Sequence, residues 1–298
     1  MSAAYAKLTD TKASGTAGGT ATAGAWYTRD LNTEDTDVTG IVTLASNQFT
    51  LQAGTYYMHA ESAFYVGTSN CKIRIRNITD GTTALLSMNQ TAVAYGNIYA
   101  VADGVVVIAA QKTFEVQYRV GATIATAGLG TADNMSGISE YYTRVVIEKN
   151  SSTAQYACVL ADTTVAAAIS SGAWRTAPLN TEVADPGNIG SLSSDQITLG
   201  AGTYEVLGFV TCYSAVLQIQ ARWQNITDGT TAILGRNVYA WVWFDGYMGP
   251  ALLAGRFTIA GTKVFELQAR VNTGGYYGGP MSFGVDERYP QVTIRKVA

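Results

Sequence analysis

The chain has 298 residues, a net charge of −3 and only 14% charged side chains, where a soluble protein usually has about a quarter. Its Lys and Arg residues are scattered, which leaves no basic stripe for nucleic-acid phosphates and no polybasic block for an anionic membrane. No apolar run approaches the roughly 20 residues of a membrane-spanning helix, and the 31 glycines with abundant Thr, Ser and Asn favour short strands and tight turns.

The N-terminal decapeptide lacks the apolar core of a secretory signal, and residues 14–24 are rich in Gly, Ala and Thr, the composition of a loop or a contacting arm. Trp26 and the block Leu31-Asn32-Thr33-Glu34 follow. Glu34, Asp35 and Asp37 then form an acidic cluster. Oxygen ligands of this kind can hold calcium, but the cluster is read as an exposed acidic loop. Gln48 to Met58 reads as strands, with Gly54 expected to serve a turn and Tyr56 to pack at the core edge. His59, the only histidine, reads as a packed or partly exposed residue.

Ile73 and Ile75 alternate with Lys72, Arg74 and Arg76, the period of a half-buried strand. Asp80-Gly81 is a favoured pair for the positive backbone angles of a tight hairpin turn, and Thr82 to Leu86 leads back. Val116, Tyr118 and Val120 alternate with Gln117 and Arg119, and Tyr142 to Lys149 closes the segment. No stretch of a dozen residues carries a convincing helical stripe.

The chain then repeats itself. Asn-Ile-Thr-Asp-Gly-Thr-Thr-Ala occurs at 77–84 and again at 225–232. The same shift carries Gly24-Ala25-Trp26 onto Gly172-Ala173-Trp174, and Leu31 to Glu34 onto Leu179 to Glu182. It also carries Ala53-Gly54-Thr55-Tyr56 onto Ala201-Gly202-Thr203-Tyr204. Farther on, Phe114-Glu115-Val116-Gln117 matches Phe265-Glu266-Leu267-Gln268, and Tyr142 to Lys149 matches Tyr289 to Lys296. Collinear matches over this length mean a duplicated domain, here read as residues 1–150 and 151–298. Asp80-Gly81, Asp228-Gly229, Gly54-Tyr56 and Gly202-Tyr204 define the repeat. Small shifts in the offset place the length changes near 241–250 and in the glycine-rich loop before the last strand, because loops absorb insertions cheaply. Short strands separated by Gly, Asn and Asp turns predict an all-β fold of two tandem antiparallel β-sandwiches.

The segment Gln48-Phe49-Thr50-Leu51-Gln52-Ala53-Gly54-Thr55-Tyr56-Tyr57-Met58, with its counterpart Gln196 to Val206, resembles the strand signature of C1q/TNF-like jelly rolls. The early Trp and the strand Phe114 to Val120 stand in the order that family would place them. With the Asn-x-Thr-Asp-Gly hairpin, the copies look like domains of phage tail-fibre, head-fibre and capsid-decoration proteins. The resemblance implies a homotrimer of six jelly rolls, stacked or side by side.

The sequence holds few chemistry-bearing motifs. One histidine rules against His-based triads and multi-His metal sites, and there is no G-x-S-x-G elbow, H-E-x-x-H or P-loop. Gly128-Leu129-Gly130 lacks a third glycine and reads as loop. Cys71, Cys158 and Cys212 do not recur at matching places and are expected to be buried free thiols. Neither metal nor cofactor is expected, and no enzymatic activity. The candidate interface or glycan-binding residues are aromatic: Trp241, Trp243, Phe244 and Tyr247, with Tyr276 and Tyr277 in a second Gly/Tyr loop. The expected role is a virion structural protein, assembled in the host cytoplasm and displayed on the particle surface as a decoration protein or head fibre. Its expected partners are itself and the major capsid protein or another virion protein. A tail-fibre or receptor-binding role, contacting a host surface glycan, is the alternative.

Overall fold

The computed structural model describes residues 4–65, 67–91, 97–149, 157–164, 167–212, 218–239, 250–280, 282–284 and 286–297. The chain divides into two compact units, Met1–Thr153 and Ala154–Ala298. Strands joined by turns account for both, and the described residues contain no helix.

The first unit runs β1 (Ala4–Lys12), β2 (Tyr27–Thr28), β3 (Thr33–Asp37), β4 (Val42–Ala45), β5 (Gln48–Leu51) and β6 (Gly54–Tyr65). It continues β7 (Asn70–Asn77), β8 (Thr82–Leu86), β9 (Gln90–Thr91), β10 (Asn97–Ile108), β11 (Lys112–Val120) and β12 (Glu140–Lys149). Its first sheet has the order β10-β6-β12-β1-β3 and its second β4-β5-β11-β7-β8. Every pairing is antiparallel, with β2 added to β11 and β9 to β7 in the second sheet, and beyond β3 the chain passes from one sheet to the other between β3 and β4, β5 and β6, β6 and β7, β9 and β10, β10 and β11, and β11 and β12. That is jelly-roll connectivity.

The second unit repeats it with β13 (Ala157–Ala161), β14 (Ala168–Ile169), β15 (Arg175–Thr176), β16 (Thr181–Ala184), β17 (Gly190–Ser193), β18 (Gln196–Leu199) and β19 (Gly202–Val210). β20 (Gln218–Asn225), β21 (Thr230–Tyr239), β22 (Ala251–Ile259), β23 (Lys263–Val271), β24 (Gly275–Tyr276) and β25 (Gln291–Lys296) follow. The sheet orders are β16-β13-β25-β19-β22 and β17-β18-β23-β20-β21. The expected fold class, tandem antiparallel jelly rolls, is the observed one.

Period-two alternation buries one side of each strand against the opposite sheet. In the first unit Leu8, Phe49, Met58, Ile73, Ile75, Phe114, Val116 and Ile147 are fully buried. Phe49 stacks on Phe114 with ring centroids 5.6 Å apart. The second unit reaches the same contact differently: Ile197 stands where Phe49 stood, Trp223 where Ile75 stood, and Trp223 stacks on Phe265 at 5.6 Å. The large ring has moved from the strand on one side of the partner phenylalanine to the strand on its other side, while that phenylalanine stayed.

The retained sequence blocks are mostly turn devices. Asn77 accepts from Asp80 N (3.1 Å) and donates to Asp80 Oδ2 (2.9 Å), and Asn225 does the same with Asp228. Only Gly81 and Gly229 have positive φ there, both +67°, so a four-residue loop replaces the expected tight turn and glycine alone meets the left-handed requirement. Asn32 Oδ1 accepts from Thr11 N while Asn32 Nδ2 reaches the buried Asp10, and Asn180 repeats this with Thr163 and Asp162.

Gly54 corrects another expectation. It lies within β6, paired with Ile108, and is not in the left-handed region. A Cβ there would meet Lys149 Cε at 3.0 Å and the Tyr56 ring at 3.1 Å, so glycine provides room rather than a turn. Tyr56 lies back along the strand and donates to Gln52 O at 2.9 Å, as Tyr204 donates to Gly200 O at 2.8 Å.

Candidate functional surfaces

The outward side of the second sheet carries a polar ladder present in both units. β11 turns Phe114, Val116 and Tyr118 inward, which leaves Glu115, Gln117 and Arg119 facing out. The Glu115 carboxylate is buried nevertheless, because Thr28 Oγ1, Gln48 Nε2 and Gln117 Nε2 all donate to it. Gln117 Oε1 accepts from Arg74 Nε at 2.7 Å, and Arg74 lies 4.3 Å over the Trp26 ring. In the second unit Thr176, Gln196 and Gln268 donate to Glu266, Gln268 accepts from Arg222 at 2.8 Å, and Arg222 lies 4.4 Å over Trp174. Burial pushes the Glu266 pKa up, but hydrogen bonds from Gln268, Gln196 and Thr176 outweigh it and hold the carboxyl below its ordinary range. Every member of this ladder lies within or beside a retained sequence block, which was the available signal.

The outward side of the first sheet differs between the units. In the first, Tyr99, Tyr141, Lys7, Glu61 and Arg144 line a cavity of 280 Å³. Arg144 pairs with Glu61 at 2.8 Å and Lys7 with Asp35 at 2.9 Å. Apolar side chains crowd the same face: Tyr99 is 47% exposed, Tyr141 54% and Val107 60%, with Val101 and Val146 half-buried beside them. The corresponding positions of the second unit hold Val159 for Lys7, Phe209 for Glu61 and Gln291 for Arg144. A more open groove of 630 Å³ in the second unit is lined by Gln218, Gln220, Asn237, Arg270 and Asn272.

Trp241, Trp243, Phe244 and Tyr247 lie outside the described residues. The other aromatic pair is split: Tyr276 is 47% exposed, but Tyr277 is buried, its hydroxyl donating to Thr176 O at 3.2 Å. Tyr277 is thus a core residue, not a surface one. The backbone of β24 turns the two neighbours to opposite sides, an alternation the glycines on either side concealed in the sequence. His59 is half-buried, 3.8 Å from Glu61. The acidic cluster serves the fold, since Asp37 accepts from Ile41 N and Val42 N and Asp35 pairs with Lys7. Asp185 likewise accepts from Ile189 N and Gly190 N. Its neighbour Cys158 is a protonated thiol, because burial first and the charge of Asp185 second push its pKa up. All three cysteines are free and buried, and burial raises Cys212 to about 12.

No family model and no curated protein matches the chain. Among solved structures, a similar chain is that of the infectious bursal disease virus VP2 subviral particle. It is 10% identical, with a TM-score of 0.29, over 99% of this chain and 71% of that one.

Proposed function

We propose that the protein is a non-enzymatic virion structural component of a phage, a homotrimeric capsid-decoration protein or head fibre displayed on the particle. The observation that carries this reading is the outward face of the first sheet in the first unit. A sheet face meant for water alternates to polar residues, yet here Tyr99, Val101, Val107, Tyr141 and Val146 share one side. Two opposite-charge pairs among them are made within the protomer, Arg144–Glu61 and Lys7–Asp35. Covering these pairs with another copy therefore strands none of their four charges. A seam of about 1,200–2,000 Å² per contact is enough for stable association. The trimer is what the resemblance to the C1q/TNF-like signature implies, and the major capsid protein or another virion protein is the partner proposed for attachment.

Native mass spectrometry of the whole chain at micromolar concentration tests this. A trimer that becomes monomeric in Val107→Glu combined with Tyr99→Ser is the expected result, together with recovery of the protein in purified particles. A monomeric wild type overturns the reading.

A further inference from the structure

The duplication supplies an internal comparison, because both units keep the same strand pairing while their surfaces have diverged. On the first sheet, Lys7, His59, Glu61 and Arg144 face Val159, Leu207, Phe209 and Gln291 at the equivalent positions. The sandwich therefore folds whatever stands on that outward side. On the second sheet Trp26, Arg74, Gln117 and Arg119 correspond to the identical Trp174, Arg222, Gln268 and Arg270. The buried glutamate explains part of this, since Thr28, Gln48 and Gln117 satisfy its oxygens. Those three donors hold the glutamate without an indole.

We propose that the outward face of the second sheet binds an acidic polysaccharide, once in each unit. The indole is half-buried and stacks on the guanidinium through one of its two faces; a ring fixed in this way offers a sugar the face that the guanidinium does not take. Guanidiniums offer forked donors that match carboxylate or sulfate groups. In the first unit Arg74, Arg76 and Arg119 stand on one face with Glu115, and Arg76 and Arg119 are each close enough to repel the charge of Arg74. In the second, Arg222 and Arg270 stand with Glu266. Each face thus holds more cations than anions on a chain whose net charge is −3, a local field that favours an anionic chain over a neutral one. This proposal uses the sheet opposite to the one proposed for assembly, so either can fail alone.

The test is affinity electrophoresis and calorimetry of the whole protein with heparin and with polygalacturonate, with dextran as the neutral comparator. The expected result is retardation by at least one acidic polymer and not by dextran. Trp26→Ala and Trp174→Ala should each lose one of two sites, and the double variant should bind about tenfold or more weakly. Arg119→Gln with Arg270→Gln removes charge from the strand surface without touching the glutamate network, and should weaken binding even if the tryptophan variants misfold. No retardation of the wild type by either acidic polymer overturns the proposal, as does equal binding to dextran. So does equal retention on single-stranded DNA, which would make the face a general polyanion surface, or undiminished binding by folded forms of both double variants.

Discussion

Arg29 Nε donates to Thr143 Oγ1 at 2.8 Å with the whole guanidinium closed off from solvent. Its NH2 group reaches Leu129 O and Tyr142 O, and burial lowers its pKa to about 10 despite the charge of Asp10 nearby. The second unit has Ala177 at this place, and the Tyr277 hydroxyl reaches the adjoining backbone of Thr176 instead. Arg29→Ala should therefore destabilise the first unit by about 2–4 kcal/mol, from an unfilled space and orphaned carbonyls. Urea unfolding followed by hydrogen exchange of each unit checks this, with the second unit unaffected.

The relocated core ring makes a sharper prediction. Phe49→Ile should leave a void and Ile75→Trp should overpack, each costing about 1–3 kcal/mol. The double variant reproduces the arrangement of Ile197 and Trp223, and should cost less than the sum by about 1 kcal/mol or more. A double-mutant cycle in denaturant measures the coupling. Additive losses would mean that the surrounding cores are not equivalent.

The hairpin locks should respond in parallel. Asn77→Ala removes two hydrogen bonds from one loop and Asn225→Ala the same two from the other. Each should cost about 1–2 kcal/mol in its own unit, and because the sites lie in separate units the effects should add. Thermal unfolding of the single and double variants provides the comparison.

Glu266 gives a pH dependence of known sign. Its folded pKa lies below the unfolded value, so its contribution is present above the unfolded carboxyl range near pH 4.3 and is lost as pH falls through the folded pKa. Stability measured across pH 2 to 6 should fall on acidification, and Glu266→Gln should flatten part of that slope.

The strands and the duplication were legible, because alternation and repetition are written directly in residue order; the polar ladder was not read, although its members stand in or beside the repeated blocks. Other features were not legible. The hairpins between β4 and β5 and between β17 and β18 use Ser46-Asn47 and Ser194-Asp195, all with positive φ and none a glycine. Their stabilisation comes from afar, with Asn47 Oδ1 accepting from Leu31 N and Asp195 Oδ1 from Leu179 N. Arg29 and Tyr277 were equally hidden, because a charged residue and a loop tyrosine read as surface until tertiary partners draw them inside. Tyr277 left the expected surface pair for that reason while Tyr276 stayed exposed, and the retained Trp26 and Trp174 were visible as words in the repeat without showing what they stack on.

The three cysteines, buried and strongly protonated at neutral pH, leave the folded chain inert to thiol-directed dyes. A single cysteine placed at the exposed Met135, in the loop before β12, would then be the sole reactive handle. A gold cluster or fluorophore attached there could be followed on intact particles without first stripping the native sulfurs from the protein.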